Sequence, residues 1–95
     1  MSKKSTPTSK RISSDQIRAG RALIRWSAAD LAREANLGLA TIRRAEVVDG
    51  MTSMTIANEL AVRRALEAAG VEFIDENGGG PGVRLRKKPQ QKPAQ

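Results

Sequence analysis

From residue 13 to residue 69 the apolar positions recur at the three- and four-residue spacing of helices that bury one face. After residue 70 they alternate in twos. Ser13-Ser14-Asp15-Gln16 opens the first helix, with Ser13 or Ser14 as N-cap and an acid in the first turn. Ile17, Gly20, Arg21 and Ile24 then share a face, which predicts a helix over about 14–26 that ends near Trp26. Ser27-Ala28-Ala29-Asp30 is a capping box with Asp in place of the usual Glu. It predicts a helix over 28–35 that turns Leu31, Ala32 and Ala35 inward. Asn36 tolerates the left-handed conformation that ends a helix, and Gly38 can cap the next. That third helix, 39–47, places Leu39, Ile42 and Ala45 on its buried side. Asp49-Gly50 reads as a turn.

A longer helix over about 55–69 is expected to follow a Thr52/Ser53 cap and to stop at Gly70. Its main apolar stripe is Ala57, Ala61, Val62, Ala65, Leu66 and Ala69. Ile56 and Leu60 point the other way, toward a covering segment or a partner. Val71-Glu72-Phe73-Ile74-Asp75 and Val83-Arg84-Leu85-Arg86 alternate around a glycine-rich loop, which predicts a hairpin within 71–86. A lone hairpin is marginal in water, so it must lie on the helices or pair with another chain. Its glycines are turn residues, since no helix follows that could hold a phosphate. Phe73 and Leu85 are the anchors expected in its core or interface.

Composition narrows the chemistry. The chain has 95 residues, no Cys and no His, so disulfides, Cys- or His-based metal sites and His-based general-base catalysis are excluded. Nothing approaches the length of a bilayer span, and Met1–Lys10 is too polar for a secretory signal. The reading is a non-enzymatic cytoplasmic module without cofactor or metal. The net charge of +7 is unevenly placed. Lys3, Lys4, Lys10, Arg11, Lys87, Lys88 and Lys92 supply all of it, from segments 1–12 and 87–95 that have little to bury and read as disordered basic arms. Residues 13–86 hold ten Arg against ten acids, and their net charge is zero. Two opposite charges on inward faces, Arg21 on the first helix and Glu46 on the third, are expected to pair, because a buried charge alone is costly.

Two short helices joined by Asn36-Leu37-Gly38, with small Ala32 at their crossing and Leu31, Leu37, Ile42 and Ala45 as a shared core, have the form of a helix-turn-helix. Residues 12–50 resemble the Cro/lambda-repressor family of DNA-binding domains, the XRE-type regulators. Trp26-Ser27-Ala28-Ala29-Asp30-Leu31-Ala32 is similar to the family's "(W/L)SQEDLA", and Leu39–Glu46 to its "S-x-x-T-I-x-x-x-E" recognition helix. Ala28 stands where the family often has Gln, Asn36 where it has Gly, and Gly38 where it has Ser or Thr. The ending AAGVEFIDENGGGPGVRLR resembles short bacterial members that close with a hairpin. The resemblance implies a mainly α, four-helix lambda-repressor-like fold followed by a C-terminal hairpin, and the same Arg21–Glu46 bridge.

It also implies a function. Leu39, Ala40 and Arg44 would face the bases of double-stranded DNA. Arg25, Ser27, Thr41 and Arg43 would meet the backbone or the groove edge. The expected protein is a nucleoid-associated repressor that binds a pseudo-palindrome as a homodimer. The dimer would form through the hairpin, with Phe73 and Leu85, or through Ile56 and Leu60. Two other readings stand beside it: the antitoxin partner of a toxin, and a non-specific nucleic-acid binder that works through its arms.

Overall fold

The computed structural model describes residues 11–48 and 50–86, so the expected arms over 1–10 and 87–95 and the turn residue Asp49 lie outside the described residues. The elements run α1 (Ser14–Ile24), α2 (Ala28–Ala35), α3 (Leu39–Val47), α4 (Ile56–Ala68), β1 (Val71–Ile74) and β2 (Gly82–Leu85). The chain is mainly helical, and its last two elements pair as an antiparallel hairpin.

Side chains start three of the helices. Ser13 Oγ accepts the Gln16 amide at 3.1 Å, and Gln16 Oε1 accepts the Ser13 amide at 2.9 Å. Ser27 and Asp30 form the same reciprocal box at 3.0 and 2.9 Å. Thr55 caps α4 by accepting from Asn58 at 3.1 Å. The cap expected at Thr52/Ser53 is therefore misplaced: Thr52 is buried and uses its hydroxyl elsewhere.

Helices α1 and α2 end alike. Arg25 and Asn36 both take φ 60°, and the next residues, Trp26 and Leu37, return their N–H groups to Arg21 and Ala32 carbonyls at 2.9 Å. Trp26 and Leu37 are then drawn against the core. The first helix thus stops at Ile24, two residues before the expected Trp26, because Arg25 leaves the right-handed region. A residue with a Cβ resists that conformation by roughly 1 kcal/mol, which the docking of Trp26 offsets.

The N-terminal boundary also moves. Arg11 and Ile12, expected in a disordered arm, belong to the fold. Ile12 is 1% exposed and joins Ile17 in the core. These are the positions before the cap and four after it, the hydrophobic staple that accompanies a capping box. Ile12 N–H donates to Glu59 Oε2 at 2.8 Å, and Arg11 reaches the same carboxylate through Nε and Nη2 at 3.0–3.1 Å. Thr52 Oγ1 adds a further hydrogen bond to Glu59 at 2.9 Å. Glu59, Val62 and Leu66 therefore form the inward line of α4, and Ala57, expected to be buried, is exposed. A buried carboxylate is stable there because several donors surround it.

The hairpin closes over α1 and α4, with Val71 opposite Leu85 and Phe73 opposite Val83. β1 ends at Ile74, and β2 begins one residue earlier than expected and ends at Leu85. Buried Gln16 secures it by donating Nε2–H to Gly82 C=O at 3.0 Å. Arg63 Cζ lies 5.0 Å from the centroid of Phe73, a cation–π contact on the α4 side. No helix among the described residues is long and apolar enough to cross a membrane.

Candidate nucleic-acid interface

The expected site centres on α3, whose inward residues Ile42, Ala45 and Glu46 are buried. Arg21 Nε and Nη2 bind the Glu46 carboxylate at 2.6 and 2.9 Å, and its Nη1 donates to Trp26 C=O at 2.9 Å. One guanidinium thus ties α1, the α1–α2 junction and α3 together. Its forked geometry suits that task, where a lysine would offer a single point of charge. Arg18 donates to the Glu46 carbonyl, and Ser14 Oγ to that of Val48. Ser14 N–H meets Gly50 C=O at 2.9 Å. The C-terminal end of α3 is stitched to the first turns of α1.

The other end of α3 is different. Gly38 caps it with backbone alone, and no acid stands in its first turn. Its N-terminal amides and the positive end of its dipole are left without a side-chain partner. Beyond them Leu39, Ala40, Arg43 and Arg44 are exposed, while Thr41 is half-buried. Leu39, expected on the buried side, is 37% exposed, because Ile42 and Ala45 fill the contact with α1 and α2. Val47, at the same outward surface, is 77% exposed.

Arg25 is exposed at the junction ahead of α2, next to Ser27. Ser27 Oγ accepts the Asp30 amide at 3.0 Å, and its hydroxyl also faces the Asp30 carboxylate. Asp30 occupies the N-terminus of α2. Its carboxyl is held below the ordinary carboxylate range, first by the Ser27 backbone N–H and then by Arg33. Arg33 Nη2 lies 3.0 Å from it. Asp30 therefore opposes an anion at α2's own N-terminus, whereas no acid stands in the first turn of α3.

The arginines divide into two sets. Arg11, Arg18, Arg21, Arg33, Arg63 and Arg84 are committed to carboxylates, and Arg86 donates to Glu67 C=O at 2.7 Å. Arg25, Arg43, Arg44 and Arg64 have no hydrogen-bonding or ion-pair partner among the described residues. Two of these four, Arg43 and Arg44, lie on the exposed face of α3, and Arg25 is the C-cap of α1.

No protein-family model matches the chain, and no curated protein matches it.

The remaining expected positions separate. Phe73 is buried, Leu85 is 52% exposed, Ile56 is 59% exposed and Leu60 is half-buried. The Glu59–Arg11–Thr52 cluster was missed in sequence, although Ile12 and Ile17 around the Ser13/Gln16 box were a readable sign that the fold begins before residue 13. A cleft of about 260 Å³, lined by Arg11, Gln16, Met51, Asp75, Glu76 and Pro81, adjoins that cluster and includes no residue of α3.

Proposed function

We propose that the chain is a sequence-specific DNA-binding transcriptional regulator, a repressor by type, which lays α3 in the major groove. The observation that carries this reading is the outward face of α3. Its arginines are unpaired among the described residues, its N-terminus is uncapped by any side chain, and its opposite face is fixed by Arg21 and Glu46. A rigid helix with free guanidinium groups suits base readout, where position decides energy. The resemblance of residues 12–50 to the helix-turn-helix of XRE-type regulators assigns the same helix to this role.

In this reading Arg44 makes a bidentate contact to guanine, and Ala40 packs on a thymine methyl. Arg43, Thr41, Arg25 and the Ser27 hydroxyl hold phosphates and the groove edge. The open α3 amides add a phosphate contact of the kind helix N-termini make. One helix reads few base pairs, so two copies would act together on a pseudo-palindrome, with their α3 helices about 34 Å apart.

Selection from a random DNA pool tests the proposal, and one enriched palindromic motif is the expected result. Arg44→Ala should relax preference at one or two base pairs, at a cost of about 1–3 kcal/mol of discrimination. Arg25→Ala should weaken all sequences alike. Binding that falls with salt but prefers no sequence would replace this reading with phosphate binding through the basic arms.

A further inference from the structure

The first described residue of the chain stands beside the cleft, and its place is fixed. Ile12 is buried with its N–H on Glu59. The Arg11 guanidinium is tied to the same carboxylate and, through Nη2 at 3.3 Å, to Met54 C=O. Arg11 lines the cleft of about 260 Å³ together with residues from three other parts of the fold. Gln16, in the first turn of α1, holds both ends of the hairpin loop there. Its Nε2 donates to Gly82 C=O at 3.0 Å and to Ile74 C=O at 3.4 Å. Met51, from the loop between α3 and α4, is pinned to Ser13 by a backbone bridge. Asp75, Glu76 and Pro81 of the hairpin loop complete the lining.

These walls have a definite chemistry. Met51, 50% exposed, and Pro81 supply apolar surface, while Asp75 and Glu76 supply two adjacent negative charges. Glu76 has no hydrogen-bond or ion-pair partner among the described residues. The cation already in the cleft, Arg11, is committed to Glu59, and Arg84 on β2 is committed to Glu72. Apolar surface beside paired acids fits a long amine. Its methylenes lie on Met51 and Pro81 while its ammonium reaches the carboxylates.

We propose that this amine is Lys10 of the same chain, and that the seat withholds the basic segment 1–10 from nucleic acid. The withholding rests on the DNA-binding reading, and the seat does not. Segment 1–10 contains Lys3, Lys4 and Lys10 and no acid, so its charge complements the hairpin loop. Lys10 is joined directly to a residue of the cleft wall, its Cα about 3.8 Å from that of Arg11, which makes the contact intramolecular at high effective concentration. The other basic segment starts at the opposite end of the hairpin. Residue 87 follows Arg86, whose N–H meets Gly70 C=O, and Arg86 lies about 13 Å along the strand from Gly82. A small molecule fits less well, because the cleft is below the roughly 300–1,000 Å³ of pockets that enclose one. An acidic peptide would be repelled by Asp75 and Glu76.

Such a seat is a bias and not a lock. Exposed ion pairs are weak and are screened by salt, so a polyanion can draw the lysine away from the two acids. The hairpin loop and the phosphates of a duplex then compete for one segment.

The seat can be tested without DNA. All lysines of the chain are at positions 3, 4, 10, 87, 88 and 92, so residues 11–86 contain no competing side-chain amine. A water-soluble carbodiimide joins a lysine to a carboxylate it touches as an amide, itself taking up the water as a urea. Peptide mapping of the treated full-length monomer should find Lys10 joined to Asp75 or Glu76, and high salt should suppress the link. Maps that show no such link, that join these acids to residue 87, 88 or 92, or that place the link only in a dimer band overturn the seat.

The withholding is tested with a duplex of random sequence. Asp75→Asn with Glu76→Gln should bind it roughly three- to fivefold more tightly at low salt, the size that one or two exposed ion pairs supply, with an unchanged circular dichroism spectrum. The gain should vanish in a Lys10→Gln background, where simple repulsion between the acids and DNA would persist. Equal gains in both backgrounds, or none in either, overturn the withholding. A chain that binds no duplex refutes the function proposed above and the withholding with it, while the cross-link still decides the seat.

Discussion

Glu46 and Glu59 are both buried carboxylates on helices, and each draws an arginine from a distant part of the chain. The outward face of α3 is the reverse case: arginines are present and the acids are not. Residues 13–86 balance ten arginines with ten acids, so their sum predicts no polarity. The pairing creates it. Two of the acids, Glu46 and Glu59, are buried where helices join, and Glu59 takes Arg11 from beyond that span. Arg25 at the end of α1 and Arg43 and Arg44 on α3 remain without partners among the described residues. The same side chain thus fastens the fold on one side and stays available to a ligand on the other.

Removing the fastening should have the largest effect. Glu59→Ala takes the acceptor from buried Ile12 N–H, from Thr52 and from Arg11 together. A loss of about 3 kcal/mol or more is expected in urea unfolding, of the order seen when one partner of a buried pair is deleted. Glu46→Gln should cost about 2 kcal/mol, since Arg21 keeps its bond to Trp26 C=O and is partly exposed. If both variants unfold within a few tenths of a kcal/mol of the parent, the two carboxylates are not what joins the helices.

A smaller effect is expected at the entry to α2. Ser27→Ala removes the acceptor for the Asp30 amide and should cost about 1 kcal/mol. Asp30 supplies the other half of the box, and its acidity gives a pH signature. Its folded pKa lies below the ordinary value, so its contribution is complete above the usual carboxylate range and is lost as pH falls through the lowered folded value. Asp30→Asn should therefore be less stable than the parent near neutral pH. The difference should shrink across that acid window, as followed by unfolding at several pH values.

Much of this was legible in local sequence. The α2 and α3 boundaries, the Ser27 box, the left-handed Asn36 and the Arg21–Glu46 pair all follow from residues a few positions apart or from charges on inward faces. The errors arose where tertiary contacts decide. Ile12 looked like arm because its neighbours are polar, and only the staple with Ile17 marks it as core. Glu59 has no local sign of its burial, because Arg11 and Thr52 meet it from 48 and 7 residues away. The exposure of Leu85 against buried Val71 has no local sign, because alternation gives both the same face and leaves open how far the helices reach across it.

The smallest expected effect is the most informative about α3. Arg43 and Arg44 have no hydrogen-bond, ion-pair or ring partner among the described residues, so replacing them with alanine deletes no polar contact there. Alanine is also the better helix former by a few tenths of a kcal/mol. Arg44→Ala and Arg43→Ala should each unfold within about 0.5 kcal/mol of the parent, in contrast to Glu46→Gln two positions further along the same helix. Removing positive charge near the C-terminal end of α3 opposes the helix dipole slightly, which sets the sign of any residue of effect at Arg44. A loss above 1 kcal/mol at either position would mean that the guanidinium is spent inside the fold. The two faces of α3 would then not differ in kind, and the side chain would have no free group to place on a base.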